Sequence, residues 1–170
     1  MKMTSAYANK LLKSLAEDKS YWLSQEDSSK TYVAATNEEP VIPEYDYTQV
    51  SATLAEIDRK MAVIKHAINV TNATATVQVG DAEMTIDTIL IKMAQLNRRK
   101  EILDRMRKQL PKVRLEVNSY STKNAVPEFR YLNYDLDQVK EDYERLSQTI
   151  MDMQMALDKY NQTEQFDVEI

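Results

Sequence analysis

Residues 136–160, LDQVKEDYERLSQTIMDMQMALDKY, decide the fold class. Leu136, Val139, Tyr143, Leu146, Ile150, Met153, Leu157 and Tyr160 step by alternating threes and fours without a miss. That is the 3.5-residue spacing of a helix laid along a neighbouring helix, knobs into holes. A strand would show a period of two. Asp135 followed by Gln138 reads as a capping box at the start, so a helix is expected over about 135–162.

Working outward, residues 47–70 carry the same seam in Val50, Leu54, Ile57, Met61, Ile64 and Ile68. A third helix is expected over 86–109, with Ile86, Ile89, Met93 and Leu96 in register. It then places Lys100 and Arg107 at seam positions, with Leu103 and Leu110 between them. A first helix is expected over 4–27, capped by Thr4 or Ser5, with Leu11, Leu12, Leu15, Trp22 and Leu23 on one broad face.

The breakers Pro40, Pro43, Gly80, Pro111 and Pro127 separate these helices. Residues 28–46 read as a long loop, and two short β-hairpins are expected at about 75–84 and 112–132. The tail residues Phe166, Val168 and Ile170 alternate as a strand would. A faint repeat is visible: the second and fourth helices each end in Asn-x-Thr before a short strand, with Asn69-Val70-Thr71 and Asn72-Ala73-Thr74 after the second and Asn161-Gln162-Thr163 after the fourth. Asn tolerates the left-handed conformation that ends helices, so these tripeptides read as terminators and not as glycosylation acceptors. The expectation is one mainly α domain over 1–170, four long helices in an antiparallel bundle or helical-hairpin arrangement with coiled-coil-like packing.

Composition agrees. One glycine and four prolines among 170 residues fall well below average usage of about 12 and 8, too few for a turn-rich β-sandwich or a glycine phosphate cradle. The absence of cysteine excludes a disulfide framework, a thiolate zinc site and a cysteine nucleophile. No run of 18 apolar residues exists and the first residues form no signal-type apolar stretch, so a cytoplasmic protein without membrane contact is expected. A net charge of −5 argues against general nucleic-acid binding.

Catalysis is not expected. The one histidine, His66, points away from its helix seam and reads as a solvated side chain. With one His and no Cys there is no ligand set for zinc or a di-iron centre, and neither cofactor nor metal is expected. The basic stretch is the candidate binding feature: eight Lys and Arg lie between Arg98 and Arg114 against two acids, whereas Glu38 to Asp58 holds six acids and no base. The two stretches are expected to face each other, within a chain or between subunits, and to set register. The alternative is an anion-binding surface for a nucleotide, nucleic acid or other phosphate-bearing molecule, made by Arg98, Arg99, Lys100, Arg107, Lys108 and Arg114. Six tyrosines fall in loops or hairpins (Tyr32, Tyr45, Tyr47, Tyr120, Tyr131, Tyr134) and are read as plugs for the ends of the bundle.

The last helix carries the expectation of self-association. From Ser147 to Leu157 it is uncharged on nearly every side apart from Asp152. Met151 and Met155 sit away from the seam formed by Ile150, Met153 and Leu157. A helix apolar all round is buried all round, so a second subunit is expected over the methionine face, with these five residues as the candidate contact.

The run Ile68-Asn69-Val70-Thr71-Asn72, followed by a hairpin with Gly80, Thr85 and a heptad helix, resembles the septicolysin-like family of small bacterial helical proteins. The closing Leu157 and Asn161-Gln162-Thr163 are similar to that family's C-terminal signature. The likeness covers roughly residues 47–96 and 136–163, and departs at Lys92-Met93, where the family often has paired arginines. It also departs in the 28–46 loop and in the 112–134 insert. The resemblance implies a mostly helical, self-associating protein. A non-catalytic structural or interaction protein, with itself or another protein as partner, is the function expected.

Overall fold

The computed structural model of the chain describes residues 1–115 and 126–170. Four helices make up 64% of them: α1 (Ser5–Ser29), α2 (Tyr47–Thr74), α3 (Ile86–Arg107) and α4 (Leu136–Thr163). Six short strands are β1 (Lys2–Thr4), β2 (Thr76–Val79), β3 (Ala82–Thr85), β4 (Lys112–Arg114), β5 (Phe129–Tyr131) and β6 (Gln165–Asp167). They pair as three two-stranded sheets, β1–β6, β2–β3 and β4–β5. The fold is mainly α, and both expected hairpins are present. Residues 30–46 form no helix or strand.

Side-chain oxygens start three of the helices, whereas Thr85, the N-cap of α3, makes no side-chain capping bond. Thr4 Oγ1 accepts from the Tyr7 amide at 3.2 Å. Asp46 Oδ1 accepts from the Thr48 and Gln49 amides at 2.8 and 3.1 Å. Asp135 Oδ1 does the same for Asp137 and Gln138, at 2.9 and 3.1 Å, satisfying donors that a helix leaves unpaired. The reciprocal half of the expected capping box does not form, because the Gln138 side chain donates forward to Asp142 at 3.1 Å.

The helix ends correct one expectation. Among the described residues only Gly80 has a positive φ: at φ 58 it turns the β2–β3 hairpin, and no asparagine is left-handed. Thr74 and Thr163 end α2 and α4 instead, each donating its hydroxyl to the carbonyl four residues back, Val70 and Lys159, at 2.8 and 2.9 Å. That back-bond seats Thr in a last helical turn, and α2 runs on to Thr74 in place of the expected 70. α3 stops at Arg107, two residues short, because Pro111 disfavours helical backbone before it. Leu110 is exposed in consequence and does not join the seam.

The faint repeat in sequence is a whole repeat in structure. Each half runs strand, helix, helix, strand: β1-α1-α2-β2, then β3-α3-α4-β6, with β4 and β5 inserted between α3 and α4. Met3-Thr4 precedes α1 as Met84-Thr85 precedes α3, and the buried pair Ser5 and Ala8 matches the buried pair Ile86 and Ile89 at one offset. Tyr45-Asp46 leads α2 as Tyr134-Asp135 leads α4. Val50, Ile64 and Ile68 then match Val139, Met153 and Leu157, all buried, again at one offset. Two of the sheets join the halves crosswise: the strand before one helix pair hydrogen-bonds the strand after the other.

By compactness the chain divides into two units, Met1–Thr76 with Leu157–Ile170, and Val77–Ala156. In the first, Met3, Ala8, Ile64, Ile68 and Val168 form the core, with Leu11, Leu12, Leu15 and Phe166 packed on it. Lys19 Nζ on α1 bonds Asp58 on α2 at 2.6 Å. The β1–β6 pairing, which the alternating tail alone did not predict, closes this unit: Met1 and Val168 exchange two backbone hydrogen bonds of 2.8 Å. In the second, Ile86, Ile89, Leu103, Val139 and Met153 are the buried apolar residues among those described.

Ser5 brings a hydroxyl into the first core. Its Oγ, like that of Ser147, is buried without a hydrogen-bond partner. An unsatisfied buried hydroxyl costs about 1–3 kcal/mol. Ser5→Ala should therefore stabilise the chain by about 1 kcal/mol, raising its Tm by about 2–4 °C in a thermal melt.

Candidate functional site

The basic residues of α3 meet α4 at one place. Arg107 lies over the Tyr143 ring, its guanidinium carbon 4.0 Å from the ring centroid, and Lys100 Nζ stands 5.5 Å from the same centroid. The two cations at seam positions thus cover an aromatic seam residue of the facing helix, an attraction worth about 0.5–2 kcal/mol. Asp104, one turn from each, accepts from Arg107 Nε and Nη2 at 2.9 and 2.7 Å and from Lys108 Nζ. The Lys108 and Arg107 hydrogen bonds hold the Asp104 carboxyl below the ordinary carboxylate range. Lys100, Arg107 and Lys108 line a shallow depression of about 500 Å³, shared with the acids Glu101 and Asp104.

The other expected cations are not brought into it. Arg98 and Arg99 are exposed on α3 and Arg114 is exposed on β4. The residues that reading by sequence missed are Tyr143, the platform, and Asp104, the internal counter-ion. The signal for Asp104 was present: an acid three and four residues before Arg107 and Lys108 is the spacing of helix ion pairs.

A second groove, of about 440 Å³, opens on the far side of the α3 end. Ile102, Met106, Tyr131 and Leu132 give it apolar walls, and Arg105 and Arg130 stand at its edge. β4 and β5 bring Arg130 here, through the pairing Val113 to Arg130. Lys112 Nζ fastens the two strands, 4.2 Å from the Phe129 ring centroid and 5.4 Å from that of Tyr131. Tyr134 Oη donates to the Met106 carbonyl at 2.8 Å and ties the entry of α4 to the end of α3. Tyr45, its counterpart in the first half, donates to Glu26 at 2.7 Å, and this bond pushes its phenol up to about 12. These two tyrosines each tie a loop to a helix end. Tyr32, Tyr47 and Tyr131 are exposed, and Tyr120 lies outside the described residues.

The ion-paired acids of the acidic stretch take their cations from α1 and α2: Asp58 bonds Lys19. Glu56 accepts from Arg59 Nε and Nη2 at 2.8 and 2.9 Å, which pushes its carboxyl down to about 2, and Lys60 lies 3.5 Å away. His66 is exposed as expected, on the wall of a groove between α2 and β6 with Val63, Ala67, Val70 and Phe166.

On α4, Met153 and Leu157 are buried within the chain and Ile150 is half-buried. Met151 and Met155 stay 55% and 65% exposed, one turn apart on the side away from the seam. Among the described residues no group of His, Cys, Asp and Glu could hold a metal ion, and no helix is long and apolar enough to cross a membrane. No family model, curated protein or solved structure matches the chain.

Proposed function

We propose that this chain is a non-catalytic interaction protein of the cytoplasm that works as a homo-oligomer, with helices packed as antiparallel, coiled-coil-like pairs. One observation carries the reading. α4 buries Val139, Met153 and Leu157 of its seam and still presents two large, flexible apolar side chains, Met151 and Met155, to solvent on its opposite face. Methionine makes adaptable contact surface, and a partner helix covering this pair removes the exposed apolar area from water. Sedimentation equilibrium at micromolar concentration tests it: the reading expects a mass of at least twice 19.7 kDa.

The runner-up is an anion-binding module on α3. Arg107 and Lys108 already answer Asp104, so an incoming phosphate competes with a fixed carboxylate for both. The first reading therefore expects inorganic phosphate and ATP to leave the Tm unchanged. It also expects Asp104→Asn to lengthen retention on a phosphocellulose column, because two cations are released. A ligand at 100 times its Kd adds about 2.7 kcal/mol, so a clear rise in Tm with either anion would favour the runner-up.

A further inference from the structure

The two halves of the repeat end in helix-pair tips of opposite charge. Residues 26–46, between α1 and α2, hold six carboxylates and a single base, Lys30. Residues 107–135, the matching connection between α3 and α4, hold six bases against three acids, Glu116, Glu128 and Asp135. The corner where Tyr134 is anchored forms the Arg105–Arg130 groove, and neither arginine has an ion pair among the described residues. At the matching corner of the first half the chain instead leaves its connecting segment in solvent, with Val33 98% and Val41 89% exposed and Ile42 exposed as well.

We propose that the 31–46 segment of one copy docks in the Arg105–Arg130 groove of a second copy. The segment has the chemistry the groove lacks. Pro40-Val41-Ile42-Pro43 places two fixed-φ residues around two apolar ones, a spacing that favours the extended polyproline conformation and lowers the entropy lost on docking. Such segments seat against aromatic-lined grooves, and here Tyr131 and Tyr134 with Ile102 and Leu132 line one. Glu38, Glu39 and Glu44 flank the apolar pair and answer Arg105 and Arg130. Like tips repel, so the contact pairs an acidic tip with a basic one. Because every copy carries both, exchange in both directions closes a two-fold dimer, and exchange in one direction continues head to tail.

The inference rests on the self-association proposed above, naming a contact for it beside the methionine face. Its test uses full chains by light scattering. Arg105→Glu with Arg130→Glu, and separately Glu38→Lys with Glu39→Lys and Glu44→Lys, should each weaken association at least about tenfold. Mixing the two variants in equal amounts should restore it, since each then offers the charge the other requires. All five positions are exposed, and circular dichroism confirms that each variant keeps its helix. Salt raised from about 0.1 to 0.5 M should weaken the unsubstituted assembly without any variant. An assembly indifferent to both substitutions and salt, or weakened variants that mixing does not restore, overturns the docking and leaves self-association standing. A monomeric unsubstituted chain overturns both.

Discussion

Ile64→Ala and Ile89→Ala should each lower the unfolding free energy by about 2–5 kcal/mol, read from the midpoint of urea denaturation. The two isoleucines are fully buried, one in each compact unit, on α2 and α3. Removing three carbons from either loses the transfer free energy of those atoms and leaves a cavity that close-packed neighbours fill only in part. Ile→Val at the same positions should cost only about 0.5–1.5 kcal/mol. Domains of this size hold about 5–15 kcal/mol in all, so either alanine removes a large share. A loss below about 1 kcal/mol at Ile64 would mean that α1, α2 and β6 do not pack around it.

The second large effect is on assembly. Met151→Glu with Met155→Glu should leave helix content unchanged, because both side chains already face solvent within the chain. In an oligomer built on that face the same pair places two carboxylates in an apolar contact, and burying an unpaired charge costs several kcal/mol. Association should fall by at least about a hundredfold. The same substitutions at Met153 would unfold the chain instead, since Met153 is buried within it, so position 151 with 155 separates assembly from folding.

The helices were legible because their seams obey one period. Val50, Ile57, Ile64 and Ile68 needed only counting, and all four are buried. Capping was legible too, through Thr4, Asp46 and Asp135. The β1–β6 sheet was not, since Lys2–Thr4 is three residues long and its partner lies at the far end of the chain. No local pattern encodes such a pairing. The clue lay in the repeat: once Met3-Thr4 is set against Met84-Thr85, the strand that opens the second half implies one that opens the first. The seam cations show the other limit. Periodicity set Lys100 and Arg107 at seam positions, where both are half-buried, but that Tyr143 receives them depends on how α3 meets α4. Likewise Arg130 reaches the groove edge only through the β4–β5 register.

Whether copies of this chain associate is the question on which the functional account depends. Multi-angle light scattering of the unsubstituted chain across the micromolar range reads it directly. A species of at least twice 19.7 kDa, reduced towards one chain by Met151→Glu with Met155→Glu, is the result predicted. A single species of 19.7 kDa throughout that range would contradict the account.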